Sequence, residues 1–177
     1  MASLRTCLTA IERYLGFPQS RSRTVARRLQ ERSVLPLGAP GIAPELDEHD
    51  VVSLIIALAA DTTLHEAPDA VERYRRLTPA GIDLTGAPAS IDTAGRALDV
   101  MADIAIHGDA GLLRRDRIEI VSSWPEIMIE NAASGRASRF VAVGSLANHW
   151  QANGHRKSVE INGGAFIDAI NDLFGDE

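Results

Sequence analysis

Apolar residues recur at helical period through the first half of the chain and at period two through part of the second. Leu4, Leu8, Ile11 and Leu15 fall at i, i+4, i+7 and i+11, which predicts a helix over 2–15 with Ser3 as N-cap and Gly16 as a left-handed C-cap. Phe17-Pro18 breaks that helix, because proline disfavours helical geometry in the residue before it. A second helix is expected from Ser20 or Ser22, either of which can cap it, to about Arg32. Its apolar stripe is narrow: Val25, Ala26 and Leu29. The Pro/Gly loop 33–44 follows, with Val34, Leu35, Leu37 and Ile42 expected to fold back on the core. ELDEHD (45–50) then supplies caps and negative charge to a helix over 48–60. That helix is apolar nearly all round and is read as the buried centre of the N-terminal part. A fourth helix, 66–77, turns Val71, Tyr74 and Leu77 inward.

Residues 78–90, TPAGIDLTGAPAS, read as a connection. They divide the chain into a helical domain 1–78, a linker 79–90 and a domain 91–177. A helix over 90–107 carries Ala94, Ala97, Ala102 and Ala105, a smooth surface suited to close helix packing or to a dimer contact. The period then changes to two: RIEIVSSW (117–124), EIMIEN (126–131), RFVAVGS (139–145) and HRKSVEIN (155–162) predict four strands in a small antiparallel meander. Gly163-Gly164 opens a last helix that can cover one face of it. The expected class is α+β: a helical, helix-turn-helix-like N-terminal domain, then a helix and a small antiparallel sheet with a C-terminal helix.

Charge changes this picture most. Residues 1–33 hold seven arginines against Glu12 and Glu31, a net of +5, so the overall −6 leaves −11 on the other 144 residues. Five of those arginines lie within RSRTVARRLQER (21–32). A helix that buries one narrow side and presents arginine elsewhere is poorly explained by core packing. Arginine in a first helical turn also opposes the macrodipole, which favours acids there. Such asymmetry points to a segment that binds a polyanion. Residues 34–70 carry seven acids and no Lys or Arg, a band read as solvated surface.

Other chemistry is sparse. Cys7 is the single cysteine, which excludes an internal disulfide and a thiolate cluster, and it is expected to be a buried small hydrophobe. His149 and His155 have neither helical nor zinc-finger spacing, so no metal is expected. No P-loop, dinucleotide fingerprint or nucleophile elbow is present, so the chain is read as no enzyme and as needing no cofactor. Gly163-Gly164 is read as a plain strand-to-helix turn. Asp47, Glu48 and Asp50 are assigned to capping, and Asp99 and Asp103 to the exposed side of a helix. Trp124 and Trp150 are read as sheet-packing anchors. The longest apolar run, VVSLIIALAA (51–60), is about half the ~20 residues a membrane helix needs, so the protein is expected to be cytoplasmic.

Helix 2–15, a short connection, helix 21–32 and the buried helix 48–60 together resemble a helix-turn-helix, although GFPQS exceeds the usual three- or four-residue turn. The resemblance implies that the second helix lies in the major groove of double-stranded DNA, with Arg21, Arg23, Thr24, Arg27, Arg28 and Arg32 as the contacting set. Arginine can pair with guanine or bind phosphate, and threonine can touch phosphate or a thymine methyl. The expected function is a DNA-binding transcription regulator, a homo-oligomer and most simply a dimer, because one short arginine helix alone gives weak, salt-sensitive binding. The layout is also similar to small terminase subunits of tailed phages, which implies recognition of viral DNA for packaging within a ring. A third reading is a protein-interaction adaptor whose arginines bind an acidic partner or RNA polymerase.

Overall fold

Residues 1–39, 43–86, 93–145 and 154–175 are described by a computed structural model with an α+β architecture: a helical N-terminal region, a five-stranded antiparallel sheet and a C-terminal helix. Ile42, Ile91, His149, Trp150 and the end of the expected linker lie outside the described residues.

Strand β1 (Ala2–Ser3) pairs with β2 (Glu45–Leu46), and helix α1 (Leu4–Leu15) begins directly after it. Ser3 Oγ accepts from the Thr6 N–H at 3.2 Å, and Gly16 closes the helix at φ 73°, where a side chain would be strained. Only Gly16, Phe17 and Pro18 separate α1 from α2 (Gln19–Glu31), a three-residue connection and not the five residues of GFPQS. Neither expected serine caps α2. Pro18 occupies the cap position, Ser22 is buried with its hydroxyl on the Pro18 carbonyl at 3.1 Å, and Glu12 of α1 accepts from the Gln19 N–H at 3.1 Å. A carboxylate from the preceding helix therefore supplies the acceptor and negative charge that the first turn of α2 lacks.

In the following loop Leu35 is buried, but Leu37 stands 69 % exposed and does not join the core. Helix α3 (Glu48–Ala60) opens with a reciprocal capping box between Asp47 and Asp50, and every residue from Val51 to Ala60 is buried. Each large apolar side chain so removed from water stabilises the fold by about 1.5–3 kcal/mol. Helix α4 (Ala67–Arg75) directs Val71 and Tyr74 inward, and Thr78-Pro79 forms a short strand, β3, that was not expected.

The small residues of α5 (Ala94–His107) are used within the chain: Ala94, Gly95, Ala102 and Ala105 are buried. A Cβ on Gly95 would stand 2.9 Å from the Arg75 Cβ, which shows how closely α5 approaches α4. A 3₁₀ turn (Leu113–Arg115) leads to β4 (Arg117–Val121), β5 (Glu126–Asn131), β6 (Arg136–Val141) and β7 (Ser158–Asn162). The order is β3-β6-β5-β4-β7, so β4, β5 and β6 form the meander and β7 returns to pair with β4. Ile118 lies between Ile129 and Ile161, and Ile120 between Ile127 and Val159. This face meets the helices. The opposite face carries cross-strand ion pairs, among them Arg117–Glu130 and Arg139–Glu126. Helix α6 (Gly163–Phe174) starts where a Cβ on Gly163 would come within 2.2 Å of the Leu113 carbonyl oxygen, so glycine is required by close approach. It lies mainly against α1, α5 and the 3₁₀ turn.

One cluster of buried apolar side chains runs from Cys7, Leu8 and Ile11 through α3 and α4 to Ile118, Ile120, Phe166 and Ile170. Segments 1–78 and 93–175 contribute to it together. The Tyr74 hydroxyl spans them, donating to the Val121 carbonyl at 2.5 Å.

Candidate nucleic-acid interface

Helix α2 meets the core through Ser22, Val25, Ala26 and Leu29, which leaves Arg21, Arg23, Thr24 and Arg27 exposed and Arg28 partly covered. With 3.6 residues per turn, Ser22, Val25, Ala26 and Leu29 share one narrow side, and positions 21, 23, 27 and 28 lie roughly 90° or more around the helix from its middle.

The guanidiniums are not uniformly free. Arg27 and Arg28 both bond to Glu31, at 3.2 and 3.1 Å, and Arg28 also lies 3.2 Å from His65 Nδ1. Arg32 reaches Asp69, in the first turn of α4, at 3.6 Å. Arg21 is bonded to Asp61. Thr24 donates its hydroxyl to the Ser20 carbonyl at 2.9 Å. Arg23 has no ion pair among the described residues; with Arg5 it flanks a shallow hollow of about 290 Å³ floored by Leu4, Leu8, Ala43 and Pro44. Two acids of the 34–70 band thus pair with the basic helix, Asp69 at the solvated surface, 65 % exposed, and Asp61 partly covered, 30 % exposed. Exposed pairs of this kind are worth about 0–1 kcal/mol each, so a phosphate can displace them.

Asp61 was not expected to matter. It caps the C-terminal end of α3 in the left-handed region, at φ 49° and ψ 35°. Its Oδ1 takes Arg21, and its Oδ2 takes Lys157 Nζ at 2.5 Å. The hydrogen bond from Lys157, with the nearby Arg21 charge, outweighs partial burial and holds the carboxyl below its usual range. Lys157 belongs to the short basic segment His155-Arg156-Lys157 before β7, so two sequence-distant basic elements meet at one carboxylate.

Two further polar clusters lie elsewhere. Glu126 is only 3 % exposed and accepts from Trp124 Nε1 at 2.8 Å, Arg139 at 2.7 Å and Arg156 at 3.0 Å. Burial pushes its carboxyl up, but the Arg139 and Trp124 hydrogen bonds prevail and hold it low. Asp99, expected on an exposed helix side, instead receives Arg75 at 2.5 Å, and its Oδ1 is buried without a hydrogen-bond partner. His49 Nδ1 stands 2.7 Å from Arg75 Nη2 and 3.1 Å from Asp99 Oδ2, so the three side chains form one polar cluster. Cys7 is fully buried, and burial pushes its thiol up to about 12. Among the described residues no group of three or more His, Cys, Asp or Glu is placed to hold a metal ion, and no helix is long and apolar enough to cross a membrane.

No protein-family model, curated protein or solved structure matches this chain. Its functional reading therefore rests on its own geometry.

Proposed function

We propose that this chain is a DNA-binding protein of helix-turn-helix type, acting as a transcription regulator, with α2 as the helix that enters the major groove. The observation that carries this reading is the placing of α2: it follows α1 after three residues, is backed by α3, which is buried from Val51 to Ala60, and turns Arg21, Arg23, Thr24 and Arg27 outward. Arg23 and the 82 %-exposed Arg27 are the best placed for base edges, while Arg21, Arg28 and Arg32 exchange weak surface pairs for phosphate.

A dimer would supply a second half-site, and a cytoplasmic setting goes with this use. The surface we assign to self-association is the half-exposed side of α5, where Ala97, Val100 and Ile104 border an apolar groove of about 300 Å³ with Leu113, Ile129 and Phe140. The test is duplex binding by gel shift or anisotropy at several salt concentrations. The triple variant Arg23→Ala, Arg27→Ala, Arg28→Ala is expected to lose binding at moderate salt. Unchanged binding by that variant sinks the groove-helix reading. Light scattering separates the dimer from a ring of roughly eight or more copies, the result expected of a terminase-like assembly.

A further inference from the structure

Asp61 holds two cations that come from opposite halves of the chain. Arg21 is on the first turn of α2, and Lys157 precedes β7, 96 residues beyond Asp61. Each is bonded to a different oxygen of the same carboxylate. Two cations gathered on the two oxygens of one anion have the arrangement that receives the two non-bridging oxygens of a phosphodiester. All three side chains are open to solvent, Arg21 at 43 %, Lys157 at 64 % and Asp61 at 30 %, so an incoming phosphate can reach the cations.

We propose that Arg21 and Lys157 form a backbone-phosphate clamp beside α2, and that Asp61 occupies this clamp in the free protein as an internal competitor of the phosphate. This inference rests on the DNA-binding reading and deepens it: the contact surface extends past α2 to the segment before β7. Asp61 keeps both cations gathered, and its charge opposes the anion that replaces it. The left-handed backbone of residue 61 is one that asparagine tolerates, so the charge can be removed without altering the turn.

The test is fluorescence anisotropy with a duplex, as a function of salt, for the wild-type chain, Lys157→Ala and Asp61→Asn. Lys157→Ala is expected to weaken binding to every sequence alike and to lower the slope of log K against log salt by about 1. Asp61→Asn is expected to bind about three- to tenfold more tightly, since the two exposed pairs to be exchanged are then gone. A thermal melt of each variant confirms that the fold is retained; should Asp61→Asn melt early, Asp61→Gly, also suited to a positive φ, replaces it. If the wild type binds and both variants match it in affinity and slope, the clamp is refuted while the groove helix stands. If only Asp61→Asn matches the wild type, the competitor role is refuted. If the wild type binds no duplex even at low salt, the DNA reading and the clamp fall together.

Discussion

The Glu12 carboxylate, in the last turn of α1, accepts a hydrogen bond from the backbone N–H of Gln19, the first residue of α2, at 3.1 Å. One helix thereby caps the next across a proline-containing turn, and places a negative charge beside a first turn that otherwise holds Arg21 and no acid. Removing an N-terminal cap acceptor costs about 0.5–2 kcal/mol. Glu12→Ala is expected to lose about 1 kcal/mol of stability in urea unfolding, and Glu12→Gln, which keeps an acceptor but not the charge, less. Equal midpoints for Glu12→Ala and the wild type would show that the capping contact contributes nothing.

Tyr74 joins α4 to the end of β4, its hydroxyl donating to the Val121 carbonyl at 2.5 Å and lying 3.4 Å from the Trp124 carbonyl. Tyr74→Phe leaves these buried carbonyls without that donor and is expected to cost about 1–2 kcal/mol. Burial pushes the hydroxyl up from 10.0 to about 12. A group raised on folding stabilises fully below its unfolded value, so this contribution is lost as the pH climbs from 10.0 to about 12. The alkaline loss of stability should be shallower in Tyr74→Phe; identical alkaline limbs for the two proteins would contradict the assignment.

On the acid side, Glu126 gives the opposite sign. Its carboxyl is held below the ordinary 4.5, so its contribution is present above 4.5 and is lost as the pH falls through the lower folded value. Glu126→Gln is expected to cost about 1–3 kcal/mol near neutral pH, because Arg139 and Arg156 lose a buried partner but remain partly solvated. It should also flatten the acid limb of the stability curve. Equilibrium unfolding between pH 3 and 7, roughly the span in which carboxylates titrate, measures both effects.

Much of the helical framework is legible in the sequence because its signals are local. The bounds of α3, its acidic cap and the Gly16 stop lie within a few residues of what they control. The start of α2 is less legible, since Ser20 and Ser22 satisfy the usual capping preference while the acceptor used comes from Glu12. Strand β6 begins at Arg136, where no apolar alternation marks it, because pairing with β5 sets its register. The exposure of the arginines on α2 follows from its narrow stripe, but their partners do not: Asp61 and Asp69 reach Arg21 and Arg32 only through tertiary packing, which also brings Lys157 to Asp61. Asp99 departs from its expected exposed position for the same reason, as Arg75 comes to it from another helix.

Ile56 of α3 is fully buried in the apolar cluster that also contains Ile120 and Phe166, so the helical region and the sheet share a core without an apolar gap. Ile56→Ala is expected to destabilise the protein by about 2–5 kcal/mol through lost burial and the cavity left behind. In a Trp150→Phe background, Trp124 becomes the single fluorescent tryptophan, reporting from the turn between β4 and β5. A shared core requires that Trp124 fluorescence and far-ultraviolet helicity lose their native values together, and that Ile56→Ala shift both midpoints equally. Separated transitions, with helicity lost first in Ile56→Ala and Trp124 unmoved, would mean that the two halves hold their structure independently.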